Sequence, residues 1–79
     1  MSIEELEYKI RSWAFERNLQ SGQPEKQVIK LGEEFGELCS GMAKGNHDVI
    51  EDSIGDMFVV MVVFCLQKEI ELGECIEKV

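Results

Sequence analysis

Four carboxylates in two short stretches carry the chemistry this sequence offers. In KLGEEFGEL (residues 30–38) Glu34 and Glu37 stand three apart, and in IEDSIGDMFVV (50–60) Asp52 and Asp56 stand four apart. Three or four residues make one helical turn, so each pair shares a helix face. The second pair leads straight into Met57–Leu66, ten consecutive apolar residues. Carboxylates at the edge of a core lose hydration and repel one another unless a cation compensates them. Oxygen-only ligands suit Mg²⁺, or Mn²⁺, rather than zinc. The E-x-x-H ligand pair of a di-iron bundle is absent.

The elements that must position these acids are helices. Ser2 followed by Glu5 is a capping-box pattern, and Ile3, Leu6, Ile10, Trp13 and Ala14 recur at helical spacing. A first helix is predicted from about Ser2 to Asn18. NLQSGQP reads as a linker, and Pro24 suits the first turn of a second helix running to about Lys44. In KGNHD, Gly45 or Asn46 can take a left-handed cap and Asp48 can be the next N-cap. A third helix follows from about Val49 to Lys68, and ELGECIEKV opens a short fourth. On the second helix, Gln27, Lys30, Glu34, Glu37 and Gly41 fall within an arc of about 80°, with Leu31, Phe35, Leu38 and Met42 beside them as the expected core stripe. The short connection makes the second and third helices antiparallel neighbours, which brings Glu34 and Glu37 toward Asp52 and Asp56. From Met57 onward every side of the third helix is apolar, more than one short chain can cover, so a partner subunit is expected. The expected fold is all-α: one domain over residues 1–79, an antiparallel bundle of three helices plus a short fourth, completed as a homodimer or tetramer.

Composition narrows the partners. Sixteen acidic against eight basic residues give a formal charge of −8, which disfavours a nucleic-acid polymer, because phosphate contacts need Lys and Arg. A phosphorylated small molecule that arrives with metal ions remains compatible. The ten-residue apolar run is about half a membrane span, and MSIEELEYKI has no signal-peptide character. Cys39, Cys65 and Cys75 form no C-x-x-C pair, so a reducing, cytoplasmic setting is expected, with Cys39 and Cys65 as core fillers.

Several single residues have two readings. Lys30 precedes Glu34 by four, which makes either a surface ion pair or a phosphate contact. Trp13 is either core or a platform for a nucleobase, and Gln27 is either solvated or reads a base edge. His47 has a surface or capping role. Gly32, Gly36 and Gly41 inside a helix each cost up to about 1 kcal/mol relative to Ala, a cost that close helix packing or ligand approach would justify.

KLGEEFGEL followed by IEDSIGDMFVV resembles the MazG-like branch of the all-α nucleoside triphosphate pyrophosphohydrolases. IRSWAFERNL and PEKQVIK upstream are similar to short, phage-type members, so the likeness covers nearly the whole chain. The resemblance implies Mg²⁺ held by an E-x-x-E and an E-x-x-D pair on consecutive helices. It also implies cleavage of an NTP or dNTP between the α and β phosphates, giving monophosphate and pyrophosphate. Water is the nucleophile, one carboxylate helps to take its proton, and the metals offset phosphate charge. Glu34 and Glu37 match the first pair and Asp56 the final acid. Lys30, Gln27 and Trp13 are the expected substrate contacts. Ser53 stands where the pattern has Glu; Asp52 is expected to take that place, directly or through water, or the site holds fewer metals. The chain also stops short of the fuller fourth helix and basic tail of related chains, with only Lys78 in that region. A member that binds nucleotide or metal without hydrolysis is one alternative, and a structural or adaptor oligomer is another.

Overall fold

The computed structural model describes residues 1–79 as four α-helices with no strand. Helix α1 (Ile3–Glu16) begins at the predicted capping box: Glu5 N–H donates to Ser2 Oγ (3.1 Å) and Ser2 N–H to Glu5 Oε1 (3.2 Å). It ends two residues before the expected Asn18, which instead takes a left-handed conformation (φ 59°). The Asn18 Oδ1 accepts from Gln20 and Ser21, which stabilises a 3₁₀ turn over Leu19–Ser21 within the predicted linker. Helix α2 (Pro24–Lys44) has its proline in the first turn, where the missing N–H costs nothing. Gly45 ends it at φ 66°, a conformation that favours glycine.

Helix α3 (His47–Lys68) starts two residues earlier than expected. Asn46, rather than Asp48, is the N-cap, its Oδ1 accepting from Val49 N–H at 3.3 Å. Asparagine one residue after the left-handed Gly45 is already placed to meet the first free N–H groups, so the turn needs no further residue. His47 is exposed and pairs with Glu51 at 2.8 Å, a solvated contact that contributes little. A short α4 (Leu72–Glu77) closes the chain. No helix is long and apolar enough to cross a membrane.

Helix α3 is the hub: α1, α2 and the 3₁₀ turn all pack against it. Its Val60, Val62, Val63 and Cys65 form the buried centre with Ala14 of α1. Burial pushes the Cys65 thiol above its ordinary pKa, which fits an inert core filler. Cys39, expected in the same role, is exposed. The expected core stripe of α2 also divides. Leu31 and Leu38 are half-buried, whereas Phe35 and Met42 are 54% and 67% exposed. The cause is that α2 has α3 as its main neighbour, so the arc turned away from α3 is uncovered. Only seven of 79 residues are buried, and the radius of gyration is 13.3 Å. A compact domain of this length would have about 11.6 Å, so a single copy makes a thin core.

The three α2 glycines have different surroundings. A Cβ on buried Gly41 would meet Val49 Cγ1 at 3.1 Å and Ile50 Cγ1 at 3.2 Å, so close approach of α3 accounts for that glycine. Around Gly32 and Gly36 nothing lies within 4 Å, and packing within the chain gives no reason for either. Gly36→Ala is therefore expected to stabilise the protein by about 1 kcal/mol through helix propensity alone. Thermal melting checks this, and a lowered Tm would contradict it.

Candidate metal and nucleotide site

The two-residue turn between α2 and α3 folds them back on each other, and their facing sides bring acids together. Glu34, Glu37 and Asp56 each place one carboxylate oxygen within 4.8 Å of the others. Glu34 is half-buried, while Glu37 and Asp56 are exposed. Glu34 Oε2 is shielded from solvent and has no hydrogen-bond partner, an orphaned acceptor at the centre of the group. Asp52 is exposed and lies outside the trio. Ser53 is 1% exposed, and its Oγ also lacks a partner. A serine at this position fits a tight helix contact, and one turn on, Asp56 reaches the surface.

The electrostatics follow from the geometry. Loss of hydration raises the Glu34 pKa from its ordinary 4.5; the charges of Glu37 and Asp56 raise it further, as does the hydrogen bond that a protonated Glu34 can donate to Asp56. Lys30 acts in the opposite direction. Such a carboxyl is protonated more readily in the folded than in the unfolded chain. Its charge state therefore favours folding below about pH 4.5, and that advantage is lost as pH rises through the elevated value. In chelator, Glu34→Gln is expected to melt higher than the native protein at pH 7, with the difference closing toward about pH 4. A melting series across that range tests the sign, and a difference that widens on acidification would contradict it.

A cavity of about 550 Å³ opens beside the acids, between α1, α2 and α3. Glu34 and Asp56 line it together with Trp13, Gln27 and Lys30, so all three expected substrate contacts face one space. Val59 and Val60 add an apolar side. Trp13 is 42% exposed, at a pocket edge rather than in the core. Lys30 forms no ion pair with Glu34; the ion pairs of the chain are Arg11–Glu7 (3.8 Å) and His47–Glu51 (2.8 Å). Arg17, which no motif in the sequence marks, also lines the cavity and lies over the Trp13 ring, 4.9 Å from its centroid. The available signal was its position four residues after Trp13, one helical turn along the same face. A second cavity of about 450 Å³, around Arg11 and Gln67, contains none of the three converging acids.

Two consecutive helices thus bring an E-x-x-E pair and a following Asp together, with Glu34 and Asp56 on the wall of one cavity. The model of the phosphoribosyl-ATP pyrophosphohydrolase family matches residues 3–79. The chain belongs to this family. It is also similar to an uncharacterized 18.2 kDa protein from the rep-hol intergenic region of Haemophilus phage HP1 (strain HP1c1). The two are 56% identical over 70 residues, which covers 87% of this chain and 43% of that protein. The chain thus spans less than half the length of that relative. No solved structure matches the chain.

Phosphoribosyl-ATP pyrophosphohydrolases are typically metal-dependent, and the residues present here fit a hard divalent cation. All three converging donors are carboxylates, no His or Cys joins them, and the orphaned Glu34 Oε2 is an acceptor that a cation would satisfy.

Proposed function

We propose that the chain is a Mg²⁺-dependent nucleoside triphosphate pyrophosphohydrolase of the MazG-like, phage-type kind, converting an NTP or dNTP to monophosphate and pyrophosphate. The observation that carries this reading is one cavity in which carboxylates and unpaired cations meet. Glu34 and Asp56 stand on its wall with Lys30 and Arg17, and neither cation has a carboxylate partner in a chain with twice as many acids as bases. A triphosphate that brings Mg²⁺ answers both halves: the acids take the cation and the free cations take phosphate oxygens. Family membership supports the same reaction class.

In this reading each residue has a proposed role. Glu34, Glu37 and Asp56 would hold the metal, and Asp52, which lies outside the trio, would reach it only through water. A bound Mg²⁺ supplies charge compensation for the phosphates and a more acidic water. Hydrolysis adds water oxygen to one phosphorus and breaks the α–β anhydride, so that the bridging oxygen leaves with the other. One of the carboxylates at the site takes the proton released by the attacking water. Lys30 donates to phosphate, Gln27 meets a base edge and Trp13 stacks on the base.

The thin core supports assembly as a homodimer or tetramer. Val28, Phe35 and Met42 follow one another at seven-residue spacing on α2 and are 53%, 54% and 67% exposed, with Gly32 and Cys39 between them. That is a coiled-coil-like seam awaiting a second copy, and the small residues permit close approach. Phe35→Glu is expected to shift the assembly to monomer, weakening association about 100-fold or more. Light scattering coupled to size exclusion reads the outcome, and an unchanged mass would remove this face from the interface.

The experiment for the activity is pyrophosphate release from a panel of NTPs, dNTPs and phosphoribosyl-ATP, with Mg²⁺ and with chelator. Mg²⁺-dependent release supports the reading and ranks the substrates. Tight Mg²⁺-dependent binding of a nucleotide with no release would favour the binding-only alternative, which the buried, non-ligating Ser53 motivates.

A further inference from the structure

Arg17 follows the last turn of α1 and has no carboxylate within ion-pair distance. Its guanidinium instead lies over Trp13, 4.9 Å from the ring centroid, and Nη1 donates to the Trp13 carbonyl oxygen at 3.5 Å. Both contacts are weak: the hydrogen bond is at the limit of length, and a cation over a half-exposed ring is held loosely. Both residues line the cavity that holds Glu34, Asp56 and Lys30. A planar cation therefore covers an aromatic face in a pocket that offers phosphate-seeking charge a few side chains away.

We infer that Arg17 is an exchangeable cover over Trp13, which leaves the ring for the phosphate chain of an incoming nucleotide and thereby makes base stacking conditional on phosphate. This rests on the proposed nucleotide site and adds a selectivity device to it. A nucleoside without phosphates must displace Arg17 from the ring and gives the guanidinium nothing in return. A triphosphate displaces it too, but supplies oxygens that a guanidinium binds better than an indole face. The pocket then discriminates against unphosphorylated nucleosides through one side chain. The cover also keeps the ring occupied in the free protein.

Trp13 is the only tryptophan, so its fluorescence reports on this face directly. The test compares native protein, Arg17→Ala and Arg17→Lys, titrated in Mg²⁺ with deoxynucleosides and with their α,β-methylene triphosphate analogues, which cannot be cleaved at that bond. Calorimetry supplies affinities independent of the emission change. In Arg17→Ala, nucleoside affinity is expected to rise about two- to five-fold, the worth of an exposed cation–π contact. Triphosphate-analogue affinity is expected to fall about two-fold or more, the worth of a charged hydrogen bond less the relief of the cover. Relief of the cover is common to both ligands, so the preference for triphosphate over nucleoside falls by the phosphate contact alone, about ten-fold or more. Arg17→Lys keeps the charge without the plane, so it should retain most of the analogue affinity. Nucleoside affinity that stays level or falls in Arg17→Ala overturns the cover, and unchanged analogue affinity overturns the phosphate contact. Either result with normal analogue binding to the native protein leaves the nucleotide site standing. No analogue binding to the native protein overturns the site and the inference together.

Discussion

Asp56→Asn is expected to lower Mg²⁺-dependent pyrophosphate release by about 100-fold or more, the scale seen when one group that stabilises developing charge is removed. Asp56 is the only α3 acid whose oxygen joins those of Glu34 and Glu37, so without its charge α3 offers the cation no direct ligand. Metal affinity should fall at least by the about 10- to 100-fold typical of losing a supporting partner. The fold should survive, because Asp56 is exposed and the buried positions of α3 lie elsewhere along it. The substitution also removes a charge that raises the Glu34 pKa. The metal-free variant should therefore melt no lower than the native protein while losing the Mg²⁺-induced rise in Tm. Turnover and a Mg²⁺-dependent rise both equal to those of the native protein would show that the three acids are not the metal site.

Gly41→Leu is expected to damage the fold and the site together. Gly41 is buried where α2 crosses α3, and a Cβ there already sits 3.1 Å from Val49 Cγ1 and 3.4 Å from the Ile50 backbone nitrogen. One methyl can be absorbed if the Val49 and Ile50 side chains shift slightly, and it gains helix propensity of about 1 kcal/mol. A leucine cannot be absorbed by a backbone neighbour, so α2 and α3 must part. Overpacking of this kind costs about 1–3 kcal/mol, a large share of the stability of a chain with so few buried residues. Parting the helices also moves Glu34 and Glu37 away from Asp56, and misplacement by about 1 Å can cost 100-fold in rate. Melting and turnover should therefore fall together in Gly41→Leu. A variant with native Tm would show that the α2–α3 contact is not as close at Gly41 as the geometry requires.

The helices were legible because their signals are local. The Ser2–Glu5 box, Pro24 and Gly45 each act within a turn of the backbone they terminate, and each appears where its chemistry demands. The candidate site was legible in part for the same reason: a three-residue spacing on α2 and one short turn suffice to bring Glu34, Glu37 and Asp56 together. Less legible was which side of α2 meets α3. Phe35 and Leu38 are both apolar and adjacent in projection, yet only Leu38 turns inward, because this depends on how many neighbours α2 has. Asp52 posed the same difficulty, since one helical turn separates it from Asp56 but only Asp56 reaches the acids of α2. Arg17 escaped notice because its partner is an aromatic face rather than a charge.

The activity proposed for this cavity is Mg²⁺-dependent hydrolysis of the α–β bond of a nucleoside triphosphate. The most direct measurement is phosphorus NMR of the products formed from triphosphates by native protein in Mg²⁺, with a parallel sample in chelator. Monophosphate and pyrophosphate are expected in equal amounts, with no diphosphate or free phosphate and no reaction in chelator. Diphosphate with free phosphate, or products formed equally well in chelator, would contradict it.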